Sequence, residues 1–181
     1  MKKVILTYGL ISGSIVSALI LLSLPLWNAG VLNHENGALV GYTTMVIALS
    51  VIFFGVKSYR DNYNNGVVTF WKALQIGVLI TCIAGVMYEL SWEISMSQMS
   101  SDFINEAFEH QFTEMKANGA TDAAIQEARV KNEEFLTYYR IFPIRFLITI
   151  FVELFPVGLV ISLICAALLR KKEFLPATEH I

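Results

Sequence analysis

Residues 73–94 read ALQIGVLITCIAGVMYELSWEI and residues 141–169 read IFPIRFLITIFVELFPVGLVISLICAALL. Each run exceeds the ~20 apolar residues that cross a bilayer core as a helix. Between them lies Ser95–Arg140, rich in Glu, Gln, Ala and Lys, without proline and with Gly119 as its one glycine. Helix breakers concentrate at Asn118-Gly119-Ala120-Thr121, which predicts a single turn there. Ser95–Ala117 and Thr121–Pro143 then form two arms of equal length, as an antiparallel pair requires. Each arm spans ~35 Å at 1.5 Å per residue. The expected unit is one long helical hairpin, continuous with its two apolar runs and projecting into water at its tip.

Outward from this hairpin, the whole chain has the composition of a membrane protein. Its 181 residues are 55% hydrophobic and 15% charged, with a mean hydropathy of +0.58. Two further apolar runs, about 4–27 and 38–56, qualify as spans. The fold class expected is all-α: a four-span bundle in one membrane domain, spans about 4–27, 38–56, 73–94 and 141–169, with 95–140 as its extension. The first run is too long for a secretory h-region and lacks an A-x-A cleavage pattern, so it reads as a retained span. The net charge of −2 carries no sign of nucleic-acid binding. Cys82 and Cys165 fall inside apolar runs, where they act as small hydrophobes, not as a disulfide or metal framework.

Small residues recur at four-residue spacing in the spans. Gly9 and Gly13 lie in the first, Gly37 and Gly41 at the start of the second, Gly77, Thr81 and Gly85 in the third, and Gly158, Ser162 and Ala166 in the fourth. Such stripes let helices approach closely in lipid, within one bundle or between two copies. Pro156 predicts a kink in the fourth span. In the arms, Ile104, Phe108, Phe112 and Met115 face Ile125, Ala128, Asn132, Phe135 and Tyr139 at helical spacing. Thr121 reads as an N-cap, and Thr69 as the cap of a helix that Phe70 begins.

Lys2, Lys3, Lys57, Arg60, Lys72, Arg170, Lys171 and Lys172 fall on one side of a four-span topology. By the positive-inside rule that side is cytoplasmic. Both termini and a 57–72 loop are therefore expected inside, with 95–140 outside. Within the loop, Asn64-Asn65-Gly66 is a turn signal, Gly66 being the residue expected at positive φ. Tyr59-Arg60-Asp61, Asn65-Gly66, Thr69-Phe70, Ala73-Leu74 and Gly77 resemble the signature of a family of bacterial four-span membrane proteins known only as a domain of unknown function. The resemblance covers nearly the whole chain. It implies a bacterial inner (cytoplasmic) membrane location and no particular activity.

No P-loop, dinucleotide fingerprint, H-E-x-x-H or G-x-S-x-G occurs. His34, His110 and His180 have no second histidine at helical spacing, and a surface histidine among acids is the plainer reading of His110. No enzyme, cofactor or metal site is expected. The residues that stand out are ionisable groups inside spans: Glu89, Glu93, Arg145 and Glu153. Such groups are costly in lipid and default to a ligand, ion or proton site, against a structural or interfacial role for groups that reach water. Counted from the cytoplasmic ends, Glu89 and Glu153 both lie ~24 Å up their helices, with Glu93 and Arg145 in the layer above. The expectation is that Arg145 pairs with Glu93 or Glu89, and that Glu153 is the isolated member. Glu153 also lies about 140° around its helix from Gly158, which turns it toward span 1 or a second subunit. Two functions follow: a non-enzymatic membrane protein whose outward hairpin binds an envelope partner or itself, and a small oligomeric transporter or channel that uses the intramembrane carboxylates.

Overall fold

A computed structural model describes residues 1–99, 103–171 and 174–175. Among these residues every regular element is helical, and four helical units are long and apolar enough to cross a membrane: Lys2–Asn28, Gly37–Tyr63, Phe70–Gln98 and Phe142–Leu169. In chain order the elements are α1 (Lys2–Asn28), α2 (Gly37–Leu49), α3 (Val51–Tyr63), α4 (Phe70–Gln98), α5 (Phe103–Ala117), α6 (Asp122–Tyr139), α7 (Phe142–Ile148), a π-helical turn (Thr149–Leu154) and α8 (Phe155–Leu169). α2 and α3 form one span jointed at Ser50; α7, the π turn and α8 form another.

The bundle is assembled on α4, which packs chiefly against α1 and α8. The small-residue stripes explain why. A Cβ at Gly9 or Gly13 would strike Ile83 or Met87, so two bulky α4 side chains four residues apart sit in the grooves of α1. On the other face α4 and α8 exchange knobs and holes. Thr81 fills the space over Gly158, and Ser162 fills the space over Gly77. Gly85 faces Ile150 and Leu154 of the π turn. This is close packing of the kind that drives helix association in lipid. The hydroxyls are satisfied within their own helices, Thr81 Oγ1 donating to Gly77 O at 3.0 Å and Ser162 Oγ to Gly158 O at 2.6 Å. Gly41 differs from the other stripe glycines: nothing lies within 4 Å of where its Cβ would be. The outward faces are apolar, with Leu22, Leu39, Phe54 and Val152 more than half exposed, as a lipid-solvated surface requires.

Several expected boundaries move. The second span runs seven residues past Val56, to Tyr63, so Lys57–Tyr63 is helical and the loop shrinks to 64–69. Lys57 and Arg60 both pair with Asp61, at 2.5 and 2.7 Å, which satisfies charge on a helix end that leaves the apolar zone. Asn65 (φ 52°) and Gly66 (φ 74°) turn the chain, and the Thr69 side chain accepts from Lys72 N as α4 starts. In the fourth span the irregularity lies just before Pro156. Pro156 has no N–H to give to the carbonyl four residues back, and its ring crowds that carbonyl; the preceding turn widens to the π form.

The continuous hairpin expected over 95–140 is corrected. α4 closes at Gln98 and Met99 is extended (ψ 170°). On the descending side α6 ends at Tyr139, and Ile141 is extended (ψ 107°) before α7. Pro143 explains the second break, because it cannot continue a helix arriving from Tyr139. Nothing local explains the first. The turn lies where expected: Gly119 has φ 83°, and the Thr121 side chain caps α6 by accepting from Ala124 N. α5 and α6 pair through Phe108 against Phe135, through the bidentate Arg129–Glu109 pair, and through Arg129 stacked 4.3 Å over the buried Phe112 ring. The hydrogen bond from Arg129 holds the Glu109 carboxyl below its ordinary value.

Candidate ligand chamber beneath α5

The N-terminal half of α5 lies back over one end of the bundle. Phe103 meets the rings of Trp27 and His34, each at 5.2 Å, and of Trp92 at 6.5 Å. About two turns further on, His110 stands 6.0 Å from His34. The α1–α2 connection is shaped to present His34. Asn33 Oδ1 accepts from the backbone N–H groups of Glu35 and Asn36, while Asn36 Oδ1 accepts from Asn33 N. Gly37 is needed there because the Trp27 ring occupies the place of a Cβ.

Beneath this contact lies a chamber of about 470 Å³, within the range of small-molecule sites. Its floor and sides come from α1 and α2, including Leu19, Met45 and the open face at Gly41. Its polar groups include His34, His110, Gln111, Glu114, Tyr88 and Glu153. Glu153 is held by Tyr88, whose hydroxyl donates to Oε2 at 2.9 Å. The π turn carries Glu153, whose side chain meets α4 at Tyr88 and borders the space that α1 and α2 line.

The other three ionisable residues sit apart from the chamber. Arg145 grips Glu93 in a bidentate pair, Nε to Oε1 at 2.6 Å and Nη2 to Oε2 at 2.8 Å, and its third nitrogen donates to Tyr139 O at 3.3 Å. This pair lines a second, more polar cavity with Arg140 and Asn105. Glu89 is fully buried, and neither carboxylate oxygen has a hydrogen-bond partner among the described residues. The Thr149 hydroxyl, also buried, approaches this carboxylate without closing a well-formed hydrogen bond. Tyr139 closes the gap between the two groups of residues, accepting from Trp92 Nε1 at 3.2 Å; burial pushes its phenol above its ordinary range. The structure thus brings Glu93 and Arg145 together, buries Glu89 beside them, and sends Glu153 to a different wall. Arg145 is spent on Glu93, and Glu153 has no salt-bridge partner among the described residues.

Sequence reasoning missed Tyr88, His34, His110 and Trp27 as chamber residues. Tyr88 and Trp92 read as interfacial aromatics, and His34 and His110 are far apart in the chain. The missed signal for Tyr88 was that it shares a layer of the bundle with Glu153. At the opposite end of the bundle, Arg60 of the signature is fully buried. Its guanidinium donates to Asp61, to Phe174 O at 2.8 Å and to Leu175 O. Tyr59 stacks on Tyr63, Phe70 meets Trp71 edge-on, and Gly66 N donates to Arg60 O at 2.9 Å. The signature therefore builds the 64–69 turn and clamps the chain after α8.

A family model described as a protein of unknown function (DUF4199) matches residues 7–171. The chain belongs to that family. No curated protein and no solved structure matches it. The match runs from α1 to just past the end of α8, so in this DUF4199 chain the chamber, the Glu93–Arg145 pair and Arg60 with Asp61 lie within the family's extent, while Phe174 and Leu175 lie beyond it.

Proposed function

We propose that this chain is a non-enzymatic, multi-pass protein of a cytoplasmic membrane that binds a small molecule in the chamber under α5. Both termini and the 64–69 turn face the cytoplasm, and α5–α6 lies on the outer side, as the distribution of Lys and Arg supports. One observation carries the reading: a chamber of about 470 Å³ with an intramembrane carboxylate in its wall and an amphipathic helix laid across it. Gly41 supports it further. A glycine with empty space beside it in an otherwise close-packed bundle leaves room for a guest.

The test uses purified protein in lipid nanodiscs and the neutral fluorophore N-phenyl-1-naphthylamine. Saturable binding is expected in the wild type, and Gly41→Phe, which places a ring in the chamber, should abolish it without lowering thermal stability. Binding that does not saturate, or that Gly41→Phe leaves unchanged, would overturn the proposal. Transport of the bound molecule is the form this function takes if Glu153→Gln stops flux in vesicles.

A second reading, in which the α5–α6 hairpin binds an envelope partner or another copy, draws on the outer face of α6. Val130 and Tyr138 are exposed there, at 48% and 57%. Photo-crosslinkers at these positions in native membranes would capture a neighbour if this face is an interface, and nothing if it is not.

A further inference from the structure

We infer that the chamber selects an organic cation carried on an apolar body, with Glu153 as its counter-ion. This rests on the chamber being a ligand site and adds the chemistry of the guest. The charges around the chamber are one-sided: Glu153 and Glu114 line it, and no Lys or Arg does. Arg145 is bound on both forks by Glu93 and is not in the chamber wall. Glu153 is half-buried, and its hydrogen bond from Tyr88 to Oε2 leaves Oε1 without a partner among the described residues. A carboxylate in the apolar zone is expensive unless paired. A cation entering the chamber supplies the pairing that the described residues do not.

The rest of the lining fits the same guest. Trp27, Trp92, Tyr42 and Tyr88 present rings around the space, and aromatic faces attract cations that have shed their water. Leu19, Ile20, Val40 and Met45 supply an apolar floor. Mixed walls of carboxylate, aromatic rings and aliphatic side chains suit a substituted ammonium or phosphonium rather than a hydrated metal ion. Consistent with this, no group of three His, Cys, Asp or Glu side chains that could hold a metal occurs among the described residues. Glu114 is exposed at the rim, on α5, where it draws a cation toward the opening without meeting it inside.

The experiment compares tetraphenylphosphonium with the neutral N-phenyl-1-naphthylamine by equilibrium dialysis and fluorescence, on protein in phosphatidylglycerol nanodiscs. The wild type should bind the cation, and Glu153→Gln should weaken it by about tenfold or more while leaving the neutral probe within about twofold. Glu153→Asp should recover part of the loss, and Glu114→Gln should change the affinity by less than about threefold. Adding phosphatidylethanolamine separates the two sources of such a cation. A headgroup ammonium seated in the chamber would compete with the probe, whereas a free small cation would leave its affinity unchanged by lipid. Equal weakening of both probes by Glu153→Gln, or none, would overturn the charge inference while leaving the chamber intact. Failure of the cation alone to bind the wild type would overturn the charge inference, and failure of the neutral probe would overturn the chamber itself.

Discussion

Gly158→Ala tests whether the α4–α8 seam is as tight as the geometry shows. An added Cβ would lie 2.9 Å from Thr81 Cβ, and closer still to the Thr81 Oγ1 and Cγ2 atoms. Carbon atoms rest at ~3.5–4.0 Å, so the two helices would have to part by roughly 0.6–1.1 Å at this point. Parting them also lifts Ser162 off Gly77, where a Cβ would meet Ser162 Cβ at 2.8 Å. Overpacking of this kind costs ~1–3 kcal/mol. Replacing a mid-helix glycine returns up to ~1 kcal/mol, so the net loss expected is about 1–2 kcal/mol. Thr81→Gly should be destabilising alone. In combination with Gly158→Ala it moves the knob to the other helix, and the pair should be coupled favourably by about 1 kcal/mol or more. Equilibrium unfolding in mixed micelles with a denaturing detergent reads all four corners of the cycle. A neutral or stabilising Gly158→Ala, or strict additivity with Thr81→Gly, would refute the reasoning.

Three other substitutions probe separate parts of the account. Glu89→Gln removes a buried carboxylate that has no partner among the described residues; thermal melts should show stability unchanged or raised by up to about 2 kcal/mol, and a clear loss would reveal a partner. Arg60→Lys should release the segment at Phe174 and Leu175, because an ammonium cannot span two carbonyls and a carboxylate as the guanidinium fork does; carboxypeptidase trimming should quicken, and Arg60→Ala should cost about 3 kcal/mol. Phe112→Asp should separate α5 from α6 by removing the ring under Arg129, seen as faster proteolysis of the 118–121 turn with the spans intact; unchanged proteolysis would count against the pairing.

Much of the architecture was legible because lipid permits few solutions. Length and hydropathy located all four spans, and depth counting along two antiparallel helices put Arg145 beside Glu93. Breakers were legible where the residue itself dictates the backbone, as at Gly119, Gly66 and Thr69. The extension of the second span to Tyr63 was not, since Lys57–Tyr63 is polar and its helix is stabilised by Asp61 pairing with two bases. The end of α4 at Gln98 was hidden for a different reason: neither proline nor glycine marks it. The chamber was least legible of all. It depends on Phe103 and His110 meeting Trp27 and His34 across long stretches of chain. The angle between Glu153 and Gly158 pointed toward span 1 or a second subunit; Glu153 instead reaches Tyr88 of span 3, at the edge of a space that α1 and α2 line.

The placement of α5 across the bundle end is the point on which the chamber stands. It is read most directly by cross-linking His34→Cys to His110→Cys with a short bis-maleimide, in a chain whose Cys82 and Cys165 are replaced by alanine. The wild-type rings lie 6.0 Å apart, so the reagent in nanodiscs should join the two thiols rapidly, at monomer mass, and should trap or exclude the neutral fluorophore. No bond, or one that forms only between two copies, would contradict the account.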